Sequence, residues 1–182
     1  MSKHELVQLL ATQSVRRGEF TLASGRSSSL YIDARLTTMS PQGLTIIGAL
    51  GLDALERAGW YVDSVGGMTL GADPIAYAIA YASASTQRAL RAFTVRKEVK
   101  SHGARRLIEG PFRAGDHVAV VEDVITTGNS ALAAAKAVAD AGGKIVGILA
   151  LIDREEGGRE ALEAHGFSVI ALTSASEITT IA

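Results

Sequence analysis

The sequence contains no cysteine among its 182 residues. Without cysteine the protein cannot form a disulfide, use a thiolate as a nucleophile or bind zinc through sulfur. Its chemistry must therefore rely on hydroxyls, carboxylates, amines or a hard cation held by oxygen atoms. Because a reducing compartment makes disulfides unavailable, the absence is typical of a cytoplasmic protein, and we predict that location.

A strong charge of either sign and long apolar runs are also missing. The 18 basic and 19 acidic residues leave a formal net charge of −1, which does not favour a nucleic-acid partner. No apolar run approaches the ~18 residues of a membrane span, and the N-terminal segment lacks the apolar core of a secretory signal. With 47% hydrophobic residues the chain can bury a core. We therefore predict one domain, residues 1–182, with neither a nucleic-acid nor a membrane partner.

The N-terminal third shows helical periodicity on either side of a short polar segment. Apolar spacing predicts a first helix from Ser2 to Val15 and a second from Pro41 to Ala58, the latter opened by a serine and a proline. Between them, strands at Phe20 to Ala23 and Leu30 to Asp33 flank a turn rich in serine and glycine. We interpret residues 18–36 as a small flap.

From Val62 onward the pattern becomes strand, turn and helix, repeated. The predicted strands are 62–68, 90–96, 117–123, 144–153 and 167–174, and the predicted helices are 72–85, 129–143 and 158–166. Nearly continuous apolar strands that alternate with helices predict a doubly wound α/β fold, whose mainly parallel sheet has helices on both faces. In such sheets ligands bind beyond the carboxyl ends of the strands.

One predicted strand ends in two adjacent acids. The apolar run from Val118 to Val121 leads directly to Glu122 and Asp123. Side chains alternate across a strand, so we expect these two carboxylates to act together only if the chain turns at this point. A strand in the core does not require such an ending, and the pair is therefore a candidate ligand site.

The residues after the acids predict a phosphate cradle. Thr126, Thr127, Asn129 and Ser130 offer short polar side chains, and Gly128 allows close approach of the backbone. The helix that begins near this point presents free amide groups and the positive end of its dipole. Because carboxylates beside a phosphate would repel it, the acids should face sugar hydroxyls or a magnesium ion of the same ligand.

Several rival site types fit this segment less well. A simple turn that caps a helix would not need two acids at the end of a buried strand. The Walker pattern G-x-x-x-x-G-K-[ST] and the dinucleotide pattern G-x-G-x-x-G after the first strand are both absent. A phosphoacceptor receiver domain would place its acidic pair after the first strand.

A basic segment at about residues 96–110 allows two interpretations. It could be a solvated charged loop, or a mobile lid that closes over a leaving pyrophosphate, where cations act more strongly once water is excluded. The glycine-rich strand end at Gly66 and Gly67, with Gly71 beyond it, is likewise either an anion contact or a tight turn. Arg154 ends another strand and either pairs with a neighbouring acid or binds a carboxylate ligand.

Four segments together resemble the orotate members of the type I phosphoribosyltransferase family. They are "FTLASGR", "FTVRKEVKSHG", "VVEDVITTGNS" and "LIDREEGG", and the resemblance runs from about Val15 to the C-terminus. It implies transfer of ribose 5-phosphate from phosphoribosyl pyrophosphate (PRPP) to orotate, which gives orotidine 5-monophosphate and pyrophosphate in pyrimidine (UMP) biosynthesis. It also implies a homodimer and Mg²⁺ that is carried mainly by the substrate rather than by protein ligands.

The resemblance further implies roles for individual residues. Lys100 and Asp123 would be catalytic, and Thr126 and Arg154 would bind orotate. The PRPP-binding residues would be Glu122, Asp123, Val124, Ile125, Thr126, Thr127, Gly128, Asn129 and Ser130, together with Arg96, Lys97, Lys100 and His102 of the lid, which would act partly across the dimer interface.

Two positions depart from the family pattern. Ala23 stands where many relatives have lysine, which leaves Arg26 as the nearest cation of the flap, and Glu122 stands where others have aspartate. Two alternatives stay open: a phosphoribosyltransferase for another base, and a non-catalytic regulator that senses PRPP. A full set of lid cations favours an enzyme over a sensor, because only an enzyme must stabilise a leaving group.

Overall fold

The structure is a computed structural model, and it describes residues 1–21, 27–98 and 107–181. In chain order its elements are α1 (Lys3–Gln13), β1 (Val15–Thr21), β2 (Ser27–Ile32), α2 (Arg35–Thr38), α3 (Pro41–Arg57), β3 (Ser64–Met68), α4 (Ala72–Ser83), β4 (Arg91–Val95), β5 (Ile108–Glu109), β6 (His117–Ile125), α5 (Asn129–Asp140), β7 (Lys144–Asp153), α6 (Gly158–Ala164), β8 (Val169–Ser174) and α7 (Ala175–Ile181). None of the helices in these ranges has both the length and the apolar character needed to cross a membrane.

The central sheet has six strands in the order β5-β4-β3-β6-β7-β8. All neighbouring strands are parallel except β5, which runs antiparallel to β4. From β3 the chain first adds β4 on one side and later returns to place β6 on the other, so the strand order reverses between β3 and β6. The mainly parallel, doubly wound sheet predicted from the sequence is confirmed, and this switch point is where such sheets bind ligands.

Helices cover both faces of the sheet, as the side-chain alternation of β6 demonstrates. Val118 and Val120 pack in a core with α5 and α6, whereas Ala119 and Val121 pack in a second core with α1, α3 and α4. Burying a valine side chain contributes roughly 1.5–3 kcal/mol. Alternating burial on both faces therefore fixes the register of β6 and, with it, the position of the acids at its end.

The first two long helices begin where their capping residues predict. In α1 the side chain of Ser2 accepts from the amide of Glu5 (3.2 Å), and Glu5 Oε2 accepts in return from the amide of Ser2 (2.6 Å). In α3 the hydroxyl of Ser40 accepts from the amide of Gly43 (3.0 Å). α1 ends two residues before the predicted limit because β1 already begins at Val15.

The predicted flap is an antiparallel hairpin whose strands are longer than predicted. β1 pairs with β2 from Val15 opposite Ile32 to Thr21 opposite Ser27, and the rings of Phe20 and Tyr31 lie 5.5 Å apart. The charged residues of β1 concealed its alternation in the sequence. The turn at residues 22–26, which includes Ala23 and Arg26, lies outside the described residues.

Candidate active site

A cleft of about 410 Å³ opens at the carboxyl ends of β3 and β6. Residues 31–35 after the hairpin form one wall, and residues 68–71 at the end of β3 form another. Of the residues predicted to act, those that line the cleft are Lys97, Glu122, Asp123, Val124, Thr126, Ser130 and Arg154. Sequence segments far apart in the chain thus meet at the switch point of the sheet.

The strand that carries the acid pair does not turn at the acids. We expected a turn at Glu122 and Asp123, but β6 continues to Ile125 because β7 pairs with it up to Asp153. Both acids still reach the cleft, since β3 pairs with β6 only as far as Val120. Beyond that residue β3 no longer pairs with β6, and the cleft lies along this side of β6.

Glu122 is a buried acid with one carboxylate oxygen, Oε2, that lacks a hydrogen-bond partner among the described residues. Its side chain is 9% exposed, and no group in the described ranges bonds to Oε2. Burial, and then the nearby charge of Asp123, raise the pKa of Glu122 to about 8. The carboxyl group therefore holds a proton near neutral pH when no ligand is bound, and it can accept or donate a hydrogen bond toward the cleft.

Asp123 lies against the loop that follows β3. Its Oδ1 accepts from the amide of Val124 (2.9 Å), and a Cβ atom added to Gly71 would overlap its carboxylate. Glycine is therefore required sterically at position 71, where the ends of β3 and β6 come together. This packing brings an acid of one strand next to the backbone of the other.

The predicted cradle forms a left-handed turn that leads into α5. Gly128 has φ +80°, and an added Cβ would meet the side chain of Leu162 and the carbonyl of Gly158. The amide of Leu132 donates to the carbonyl of Gly128 (3.0 Å), so the amides of residues 129–131 precede the first intrahelical bond. The side chain of Ile125 is buried in the core, and only its backbone faces the turn. The exposed polar residues of the turn are Thr126, Thr127, Asn129 and Ser130.

Arg154 is held in the cleft wall by an acid two residues away. Its Nε and Nη2 donate to Glu156 Oε1 at 3.2 and 2.8 Å, and its side chain is only 10% exposed. The backbone amide of Arg154 donates to the carbonyl of Ile125 (2.9 Å), which joins this residue to the cradle strand. The arginine thus pairs with a neighbouring acid and also lines the cleft, and its binding of a carboxylate ligand stays a prediction.

Sequence reasoning missed a second arginine in the cleft. Arg35 donates through Nε and Nη2 to the two carboxylate oxygens of Asp33, at 2.8 and 3.0 Å. This pairing, with a smaller effect of Asp123, raises the pKa of Arg35, and Arg35 in turn lowers the pKa of Asp33. Its own segment carries no specific signature of this approach, although Arg35 lies just beyond the end of β2 as Arg154 lies just beyond the end of β7.

The basic segment is tied at its base. The amide of Arg96 donates to the carbonyl of Leu107 (2.8 Å), and β5, which we did not predict, pairs with β4 just beyond. Lys97 lines the cleft, whereas Arg96 Nη1 lies 3.7 Å from Glu109 Oε1. The predicted lid residues Lys100 and His102 lie outside the described residues.

Comparison with known proteins shows which family the chain belongs to. The phosphoribosyl transferase domain family matches residues 67–175, from the end of β3 to the start of α7. The orotate phosphoribosyltransferase of Aquifex aeolicus is 41% identical over 181 residues, which are 98% of each chain. The chain belongs to the orotate phosphoribosyltransferase family.

Solved structures of this orotate phosphoribosyltransferase family support the same relationship. The Mycobacterium tuberculosis enzyme in complex with Fe(III) dicitrate is 43% identical and superposes with a TM-score of 0.85. The same enzyme in complex with PRPP is 40% identical, with a TM-score of 0.82. Each alignment covers 97% of this chain and 98% of the other. The fold and family that the sequence resemblance implied are thereby confirmed.

Proposed function

We propose that the protein transfers the 5-phosphoribosyl group of PRPP to orotate and so forms orotidine 5-monophosphate in pyrimidine (UMP) biosynthesis. One observation carries the assignment of residues: a single cleft joins a turn with free amides, a buried acid whose Oε2 lacks a partner among the described residues, and a fixed guanidinium. These groups complement a phosphate, sugar hydroxyls and a carboxylate, respectively. PRPP and orotate together offer all three.

The PRPP assignment follows from the charges at the end of β6. The amides and hydroxyls of residues 126–130 would hold the 5-phosphate, as helix N-termini commonly do. Glu122 and Asp123 would bind the ribose hydroxyls, because carboxylates repel phosphate but accept hydrogen bonds from hydroxyls. The protonated state of Glu122 lowers the repulsion between the acids before the substrate arrives.

The orotate assignment depends on Arg154. A guanidinium suits a planar carboxylate, and Glu156 limits the directions in which the side chain can point. Thr126 lies in the same cleft and would contact the base. Uracil lacks the carboxylate, so it would leave Arg154 without its ligand partner and should bind poorly.

The reaction requires positioning and stabilisation of charge more than covalent catalysis. The bond from the anomeric carbon to the pyrophosphate oxygen breaks, and its electron pair leaves with pyrophosphate. A ring nitrogen of orotate bonds to that carbon and releases its proton to water or to the leaving pyrophosphate. The sugar becomes cationic on the way, as in glycoside hydrolysis, and the carboxylate of Asp123 would favour this state. Lys97, with Arg96, Lys100 and His102 of the lid, would offset the negative charge of pyrophosphate.

We propose that Mg²⁺ enters with PRPP. In the described ranges, no three histidine or acidic side chains come close enough together to hold a metal. Asp33 is already paired with Arg35, and Glu122 favours its neutral form. Mg²⁺ prefers phosphate oxygens and retained water molecules, so these residues suit an ion that arrives on the substrate. When bound, it would neutralise charge on the leaving group.

The dimer also belongs to this proposal. We infer that residues 1–182 form one catalytic domain with a flap at residues 18–36, and that the lid at residues 96–110 acts partly on the site of a partner subunit. An apolar groove of about 520 Å³ lies between α3 and α4, where Tyr81 is 85% exposed, and exposed tyrosines are common at protein interfaces. A cytoplasmic location without nucleic-acid or membrane partners stays a prediction.

Hybrid dimers test the shared lid. Lys100→Ala removes the lid cation of one chain, and Asp123→Asn removes the cleft acid of the other. Mixed chains should recover part of the parental activity because one of the two sites keeps both groups. Verified hybrids that stay inactive would show that each lid serves its own chain.

A substrate panel tests the function. The protein is mixed with Mg²⁺, PRPP and, separately, orotate, uracil, adenine or hypoxanthine, and consumption of each base is followed. We expect consumption of orotate alone, at a rate that is lower by on the order of 100-fold with the Asp123→Asn variant. Consumption of another base instead of orotate would show that the enzyme acts on that base. Binding of PRPP in calorimetry without turnover of any base would favour a sensor.

A further inference from the structure

A buried acid lies beneath the loop that follows β3, and it belongs to neither the acid pair nor the cradle. Asp73, in the first turn of α4, is 8% exposed. Its Oδ2 accepts from the hydroxyl of Thr69 (2.7 Å), and its Oδ1 accepts from the hydroxyl of Thr94 (2.8 Å). Each carboxylate oxygen thus has a donor, and both hydroxyl groups are fixed by the same residue.

The directions of the hydrogen bonds in this group follow from the number of protons. The hydroxyl of Thr94 has one proton, which it donates to Asp73. The contact between Tyr77 Oη and Thr94 Oγ1 (2.7 Å) must therefore have Tyr77 as the donor. The hydrogen bonds thus run from Tyr77 through Thr94 to Oδ1 of Asp73. The other oxygen of Asp73, Oδ2, accepts a hydrogen bond from the hydroxyl of Thr69. Together these bonds connect β4 and α4 with the loop after β3.

The loop that Asp73 holds forms one wall of the cleft. Thr69, Leu70 and Gly71 all line it, and Gly71 packs against the carboxylate of Asp123. Thr69 is fixed twice, because its amide also donates to the carbonyl of Val95 (2.8 Å). The position of this loop in the cleft wall is therefore set by two hydrogen bonds of Thr69 and by the packing of Gly71 against Asp123.

A carboxylate at this position would itself repel an anionic ligand at the start of α4. Its burial beneath the loop, with both oxygens satisfied by hydroxyl groups, instead suits a role in holding the backbone. We propose that Asp73, through Thr69 and Thr94, is a positioning residue that orients residues 69–71 toward the pyrophosphate group of the substrate. The inference rests on the proposed function, since it assigns that wall of the cleft to the leaving group.

Kinetics of Asp73→Asn and Asp73→Ala test the proposal. Asparagine presents an NH₂ group where one hydroxyl needs an acceptor, and alanine removes the acceptor of both hydroxyls. Since a lost hydrogen bond of this kind changes affinity by about tenfold, the KM for PRPP and the Kd for pyrophosphate should each rise by about that factor. The KM for orotate should change by less than about twofold, because Arg154 is untouched.

Two substitutions of Thr94 refine the test. Thr94→Ser keeps the hydroxyl and should behave as the parent does. Thr94→Val removes it and should raise the Kd for pyrophosphate by about threefold, because one of the two bonds to Asp73 is lost while that from Thr69 survives. If Asp73→Ala fails to fold, Asp73→Asn and Thr94→Val still decide the question.

Asp116 offers a matched control at the opposite end of the sheet. It is 6% exposed and accepts from Arg91 Nη2 (2.7 Å) and from the amide of Arg113 (3.0 Å). Asp116→Asn should lower the unfolding temperature without a selective change in the KM for PRPP. If the Asp73 variants behave in the same way, with pyrophosphate binding unchanged, the positioning role is wrong.

Calorimetry with pyrophosphate separates this inference from the proposed function. The parent protein should bind pyrophosphate with Mg²⁺ present, and the Asp73 variants should bind it about tenfold more weakly. A parent that binds pyrophosphate but consumes no orotate would contradict the proposed function and leave the loop measurement valid. A parent and variants with equal affinity would contradict the inference even if orotate is consumed.

Discussion

Two acids at opposite ends of the central sheet, Asp63 and Glu122, have contrasting surroundings. At the amino end, Asp63 accepts from the amide of His117 (2.9 Å), and Asp116 pairs with Arg91. At the carboxyl end, Glu122 is 9% exposed, yet its Oε2 has no partner in the described part of the chain. Paired acids stabilise the fold, whereas an enclosed carboxyl oxygen without a partner costs stability, and we expect a ligand to supply that partner.

The same contrast appears in the pKa values. The amide of His117 is the main cause that lowers the pKa of Asp63, while burial raises the pKa of Glu122 to about 8. Asp63 thus favours its charged form, and Glu122 favours its neutral form. A strongly raised pKa of a buried acid in a cleft is common at functional sites, which supports the proposed role of Glu122.

The largest expected effect is loss of turnover at the carboxyl end. Asp123→Asn should lower kcat by on the order of 100-fold, because its charge would stabilise the cationic sugar, while the unfolding temperature should change little. Glu122→Gln should also affect turnover more than folding. Steady-state kinetics and thermal unfolding are measured on the same samples. The control variant Asp63→Asn should keep the turnover of the parent. Equal kcat values for Asp123→Asn and the parent would contradict a catalytic role of Asp123.

Arg154→Ala should have the next largest effect. We expect the orotate KM to rise by about 10- to 100-fold, because the buried carboxylate of the ligand loses its partner, while PRPP binding survives. The control is Arg159→Ala, which removes a nearby guanidinium bonded to Glu163 and to the carbonyl of Val169 rather than lining the cleft. Calorimetric titration of each ligand measures both variants. Normal orotate binding by Arg154→Ala would contradict the assignment.

Glu122 predicts an unusual dependence of stability on pH. Its pKa in the folded protein, about 8, lies above the ordinary 4.5, so between these values the folded state binds more protons than the unfolded state. Stability should therefore fall as the pH rises through this window, by on the order of a few kcal/mol in all. Glu122→Gln should lose this decline. The check is denaturant unfolding of both proteins at several pH values, and parallel curves would contradict the raised pKa.

The smallest expected effect is on stability at acid pH and involves Asp63 at the amino end of the sheet. Its dependence on pH is opposite in sign to that of Glu122. The pKa of Asp63 is lowered below 3.8 in the folded protein, so its contribution to stability is present above that value and is lost as the pH falls through the lowered pKa. Asp63→Asn should reduce the acid sensitivity of the protein by about 1 kcal/mol or less. Acid-induced unfolding of the parent and the variant provides the measurement. If the variant unfolds at the same pH as the parent, Asp63 does not contribute to the acid sensitivity of the protein.

Much of this arrangement was predictable because local signals carried it. The apolar run before Glu122, the polar turn around Gly128 and the capping serine before Pro41 each act over a few residues, and each predicted its element. Contacts between distant segments were not predictable. Neither the pairing of β7 that extends β6 to Ile125 nor the approach of Arg35 to the cleft has a signature within its own segment.

The tie between Arg96 and Leu107 has a consequence for how the basic segment can vary. Joining the two ends of a segment has an entropic cost that rises only slowly with length. Each doubling of the length adds only about 0.6 kcal/mol to this free-energy cost. Insertions between these residues should thus be tolerated with little loss of stability, because β4 and β5 keep their pairing. We therefore expect that the segment between Arg96 and Leu107 can be lengthened, shortened or replaced while the sheet stays unchanged. Replacement of this segment would then be a way to alter the binding of small anions.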